Sequence, residues 1–213
     1  MITGFAVYFA ALWYLWYTPV VYPLKIFVVL LHEVSHAVAL VLTGGQVESI
    51  TLSPLQGGAT YGRGGIPLLT LSAGYLGSLG FGALLVVGAQ SRRISSRLLL
   101  GIVGGMVLAL TLIYIRNGFG LAFGLLFGSA LVFGSRRLSL SWSSGTLIVL
   151  GITSVLYAIL DIKSDILDRP QIQSDAAMLA ELTGIPTVGW GVAWISVAVI
   201  AAALLFRRTL RRA

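Results

Sequence analysis

Seven apolar stretches of bilayer length, separated by connections that hold most of the charge, constrain this chain more than any other feature. They run roughly Gly4–Tyr22, Leu24–Thr43, Pro67–Gln90, Leu98–Ile115, Gly118–Gly134, Ser144–Asp161 and Val188–Phe206. Each is near the ~20 residues that a helix needs to cross the hydrocarbon core. Backbone inside lipid must satisfy its own hydrogen bonds, so such stretches fold as helices. The expected fold is an all-α polytopic membrane protein in one domain, residues 1–213, with about six or seven transmembrane helices. Composition agrees: 57% of the residues are hydrophobic and 10% are charged, where a soluble domain carries about 25% charged residues.

The punctuation of the stretches is informative. Pro19 and Pro23 mark the first boundary, and Arg116-Asn117-Gly118 makes a tight turn between the fourth and fifth spans. The first 22 residues lack the charged start and small-residue cleavage site of a signal peptide, and read as a retained span. Gly, Ala and Ser are dense in the third to fifth spans, where small residues let helices approach closely in lipid. The net charge of +7 comes from short arginine clusters between apolar runs. That is a topology signal, and it excludes a nucleic-acid partner, which would need a broad polar face. With no cysteine, disulfides and thiolate metal sites are excluded, and His and carboxylate remain as zinc ligands.

Within the second span lies His32-Glu33-Val34-Ser35-His36, an H-E-x-x-H motif that contains both of the chain's histidines. Spacing of i and i+4 on a helix puts the two imidazoles on one face, where they can hold a single Zn²⁺. Glu33 is then placed to act as general base on a water. The surrounding run, Ile26 to Leu42, is almost wholly apolar, and ionisable groups at membrane depth are costly unless they bind or react. A structural polar cluster is the competing account, and metal binding is the better one.

Two connections are more than turns. In Gly44 to Ile66, alternation of Val47, Ser49 and Thr51 with Glu48, Ile50 and Leu52 between glycine pairs reads as a short strand and hairpin. It is either an exposed loop or a strand near the metal, offering an edge to an extended peptide. The second, Asp161 to Pro186, holds five of the seven acids: Asp161, Asp165, Asp168, Asp175 and Glu181. Asp161, Asp165 and Asp168 share one face of a helix continuing the sixth span. Ser174-Asp175 reads as the N-cap of a short helix ending near Gly184.

These features together resemble the site-two-protease family of intramembrane zinc metallopeptidases, in particular its small bacterial peptidase-like branch. The resemblance rests on HEVSHAVALVLTGGQVESITLSPLQGGAT, YIRNGFGLAFGLLFG and DIKSD…SDAAMLAELTGIPTVGWGVAW, which cover most of the chain. It implies a zinc endopeptidase acting on membrane-embedded protein or peptide substrates, with His32 and His36 as metal ligands and Glu33 as catalytic base. In that family the third ligand is an Asp in a distal L-D-G motif. This chain has Leu160-Asp161-Ile162 and Leu167-Asp168-Arg169 there, and nothing resembling a PDZ module. Asp161 is the expected third ligand on depth, followed by Asp165 and Asp175. Asp175 reaches the site only if its loop folds back into the interior. A metal- or proton-binding transporter and a catalytically silent pseudoprotease are the alternative readings, although the other spans carry no acid.

Lys and Arg number ten on one side of the seven-span arrangement (Lys25, Arg92, Arg93, Arg97, Arg136, Arg137 and four in the C-terminal tail) and four on the other. The positive-inside rule puts the C-terminus of this multi-pass protein in the cytoplasm and the 44–66 hairpin outside. The resemblance implies the opposite side for the hairpin.

Overall fold

The computed structural model describes residues 14–15, 18–163, 165–166 and 173–211. In chain order the elements are α1 (Tyr22–Leu42), β1 (Gln46–Ser53), β2 (Gly57–Arg63), α2 (Pro67–Ala89), α3 (Ser96–Tyr114), α4 (Gly118–Arg137), α5 (Leu140–Lys163), α6 (Asp175–Thr183) and α7 (Thr187–Arg211). All the helices except α6 are long and apolar enough to cross a membrane, giving six candidate spans among the described residues. Most of the expected first span, Gly4–Tyr22, lies outside the described residues.

Proline opens α1 and α2 in their first turns, where the missing N–H removes no helical bond. Small residues set the closest helix crossings. A Cβ on Gly82 of α2 would stand 2.7 Å from the Gly151 carbonyl of α5, and one on Gly104 of α3 would stand 2.9 Å from the Gly128 carbonyl of α4. Backbones at that separation exchange dispersion contacts that larger side chains would prevent.

The hairpin is not an exposed loop. The chain leaves α1 through Gly44, whose φ of +86° suits glycine alone, and β1 and β2 then run back along α1. At the base, the Ile66 N–H donates to Thr43 Oγ1 at 3.0 Å; at the tip, the Tyr22 hydroxyl donates to the Pro54 carbonyl at 2.8 Å. Ile50 and Leu52 are fully buried. Non-helical backbone at this depth persists only if it is enclosed by protein or lines a wet cavity. Here the inner face of β1 is enclosed and β2 borders a cavity. The strands pair antiparallel, with Ile50 opposite Thr60 and Leu52 opposite Gly58, and a bulge falls between Val47 and Ser49. The outer edge of β1 is closed by the α3–α4 turn. There the Arg116 N–H donates to the Ile50 carbonyl at 3.1 Å. The Asn117 amide donates to the Leu52 carbonyl at 2.7 Å and accepts from the Leu52 N–H at 3.1 Å. The other strand, β2, borders a cavity.

The short helix α6 also packs into the bundle. Ser174 caps α6 by accepting from the Ala177 N–H, and Gly184, at φ +74°, ends it. Ala176 and Leu179 are fully buried with Tyr75 of α2, Ile162 of α5 and Trp194 of α7. Burying these apolar groups draws α6, and the residue that begins it, into the bundle.

Candidate active site

His32, Glu33 and His36 sit mid-way along α1, where helical spacing stacks the two imidazoles with their centroids 4.6 Å apart. α2 crosses directly in front of them, and it can do so because residue 74 is glycine. A Cβ there would lie 2.3 Å from His32 Nε2 and 2.6 Å from His36 Cε1. The Thr70 carbonyl of the same helix takes a 2.7 Å hydrogen bond from His36 Nδ1. That bond fixes the tautomer, since Nδ1 must carry the proton, and it leaves the Nε2 lone pair of a neutral His36 facing the cavity.

Asp175 faces those nitrogens. Its Oδ2 lies 3.0 Å from His32 Nε2 and 3.2 Å from His36 Nε2. The three donor atoms lie within 4.8 Å of one another. His36 Nε2 can face the carboxylate at that distance across either a proton or a metal ion. Tetrahedral zinc with ligand bonds of 2.0–2.2 Å separates its ligand atoms by about 3.3–3.6 Å, near the 3.0 and 3.2 Å from Asp175 Oδ2 to the two imidazole nitrogens, so the donor set fits a zinc ion in type and number. Burial by itself would push the Asp175 carboxyl up, but the hydrogen bonds and charge of His32 and His36 outweigh it and hold the group well below the usual carboxylate range. The carboxyl is therefore an anion, the form a metal requires.

Among the described residues, the group that could hold a metal is His32, His36 and Asp175, whereas depth along the chain favoured Asp161 as the third member. Asp161 is in the wall of the same cavity, as is Asp165, but neither joins the group made by the two histidines. Packing of Ala176 and Leu179 into the bundle sets Asp175, which begins α6, beside the imidazoles. Asp168 lies outside the described residues.

Sequence reasoning missed the supports of this cluster. Glu33 Oε2 is 2.8 Å from the Thr60 hydroxyl of β2, which also stands 2.9 Å from the Glu33 carbonyl. With one proton, that hydroxyl serves one of the two at a time. Gly58, two residues earlier, leaves room for the carboxylate: a Cβ there would meet Glu33 Cγ and Oε1 at 2.7 Å. On the other flank, the ring of Tyr75 meets His32 edge-on with centroids 4.7 Å apart, and its hydroxyl donates to Asp165 Oδ2 at 2.5 Å. A glycine four residues after Thr70, and one opposite Leu52 in the hairpin, were visible in the sequence only as packing or turn residues.

All of these groups surround one cavity of about 330 Å³, bordered by Gln56, Gly57, Gly58, Ala59 and Thr60 of the hairpin and by Asp161, Asp165 and Asp175. It holds two candidate nitrogen ligands, a candidate carboxylate ligand, three further carboxylates (Glu33, Asp161 and Asp165) and a strand edge. That combination can bind a metal, hold water beside it and align an extended chain.

No curated protein and no solved structure matches this chain. A family model described as Peptidase M50B-like matches residues 5–205, nearly the whole length. This family, of the site-two-protease type, suggests an intramembrane metallopeptidase and is zinc-dependent. With a match of that extent, the chain belongs to the Peptidase M50B-like family.

Proposed function

We propose that this protein is a zinc-dependent endopeptidase that hydrolyses peptide bonds of membrane-embedded substrates. The observation that carries the reading is the convergence of His32 Nε2, His36 Nε2 and Asp175 Oδ2 beside Glu33 in one cavity.

His32, His36 and Asp175 would hold the ion, with the His36 ring oriented by the Thr70 carbonyl. When bound, Zn²⁺ supplies Lewis acidity, polarising a peptide carbonyl and lowering the pKa of a water. Glu33 takes the proton from the water that attacks the scissile carbonyl carbon. It then delivers that proton to the amine nitrogen as the C–N bond breaks. Thr60 holds the carboxylate of Glu33 in one rotamer, so that both transfers start from a fixed position.

Substrate presentation follows from the hairpin. A helix hides its carbonyls in its own hydrogen bonds, so the scissile segment must be extended. The outer edge of β1 is already occupied by residues 116 and 117, whereas β2 borders the cavity. The reading therefore assigns an incoming strand to β2.

Glu33→Gln separates ligation from proton transfer. The variant should keep about one zinc per chain while turnover of a model transmembrane peptide falls roughly 10²–10⁴-fold. Undiminished cleavage would remove Glu33 from the chemistry and favour a metal-binding or transport role.

A further inference from the structure

The basic residues at the opposite end of the α3–α4 pair from its 115–117 turn have a different arrangement from the other cations. Arg63 is turned toward Glu48 at 3.6 Å, and the Arg116 guanidinium folds back onto the carbonyls of Leu112, Ile113 and Ile115. Arg92, Arg93, Arg97, Arg136 and Arg137 are all exposed, and among the described residues none of them forms an ion pair. No acid occurs anywhere from residue 90 to residue 145.

The fold brings these five cations from two separate connections to one end of the α3–α4 pair, forming a platform. Arg97 Nε donates to the Leu138 carbonyl at 2.7 Å, joining the start of α3 to the end of α4. Beneath it the Ala89 carbonyl accepts from Ser96 Oγ at 3.4 Å and from Ser144 Oγ at 3.1 Å, tying in the ends of α2 and α5. Large exposed apolar groups, Ile94, Phe133 and Trp142, flank the cations, and the Arg137 guanidinium lies 5.6 Å over the Phe133 ring. A guanidinium fork matches phosphate oxygens in pairs. Aromatic side chains beside it belong at the boundary between headgroups and acyl chains.

We propose that this platform is a binding site for the headgroup of an anionic phospholipid. The arginines grip the phosphodiester, while Phe133, Trp142 and Ile94 lie against the upper acyl chains. The apolar flank is what selects a lipid over a free phosphate. Counting of basic residues assigns this end to the cytoplasmic leaflet, whose anionic surface such clusters recognise. The inference is independent of the peptidase reading, and its test needs no turnover.

Short-chain phosphatidylglycerol, phosphatidylcholine and inorganic phosphate are each titrated onto the full-length chain in neutral detergent, with binding followed by native mass spectrometry. The expected result is saturable binding of phosphatidylglycerol, with phosphatidylcholine and phosphate at least about tenfold weaker. The variant R92Q/R93Q/R136Q/R137Q should bind phosphatidylglycerol about tenfold or more weakly, and Arg63→Gln should bind it as the parent does. Arg97 is left in place because of its bond to Leu138. Equal binding of phosphatidylcholine, full competition by inorganic phosphate, or undiminished phosphatidylglycerol binding by the fourfold variant would overturn the proposal. Should that variant not fold, R92Q/R93Q and R136Q/R137Q are measured separately, each with weaker binding expected; unchanged binding by both would overturn it equally.

Discussion

At the scale of single residues, the site depends as much on absent side chains as on present ones. Gly74 contributes no ligand, yet a methyl group in its place would lie in contact with both imidazoles. Gly74→Ala should therefore weaken zinc binding about as much as loss of a supporting hydrogen bond, some 10–100-fold, with all three ligands intact; competition against a chromogenic chelator measures this. Gly58→Ala acts on the other function. Its methyl group would displace the Glu33 side chain, so zinc affinity should hold while turnover falls, and overpacking should cost about 1–3 kcal/mol of stability. The two histidines and Glu33 were readable directly from the H-E-x-x-H spacing, because i, i+4 geometry is local to one helix. Gly74, Gly58 and Thr60 were not. Their importance arises only when α2 and β2 are brought against α1, and nothing in a glycine or a threonine reports which neighbour it will meet.

Among the elements, helix positions followed the apolar runs, with boundaries moved by a few residues where connections had been counted as polar. α5 begins at Leu140, four residues before the expected Ser144, and its first turn packs into the bundle with Ser143 buried. Ser174 and Gly184 bound α6 as their cap chemistry implied. Depth was the quantity that linear reasoning could not supply. It favoured Asp161, since an acid closing an apolar run lies nearer the membrane centre than one in a polar loop. The apolar face of α6, Ala176 and Leu179, packs into the bundle and sets Asp175 beside the histidines. The tether on the approach to α6 is the hydrogen bond from Tyr75 to Asp165. Tyr75→Phe and Asp165→Asn should each weaken zinc binding about tenfold or more through the placement of Asp175. If the tether acts as a unit, the double variant should be no worse than the singles. Additive losses would show that each residue acts separately.

Over the whole molecule, the candidate centre joins distant parts of the chain: His32 and His36 from α1, and Asp175 from the start of α6, 139 residues beyond His36 in sequence. A metal held across such a closure binds the folded chain far better than the unfolded one, so its binding free energy adds to stability. At free zinc of 100 times Kd the gain is about 2.7 kcal/mol, or roughly 5–10 °C in Tm for a chain of this size. Chelation should remove that increment from the parent and leave Asp175→Ala unaffected. The most direct test of the account is the zinc content of purified Asp175→Ala beside Asp161→Ala and the parent. About one zinc per chain in the parent and in Asp161→Ala, with little in Asp175→Ala, is the predicted result. Zinc retained by Asp175→Ala and lost from Asp161→Ala would contradict it.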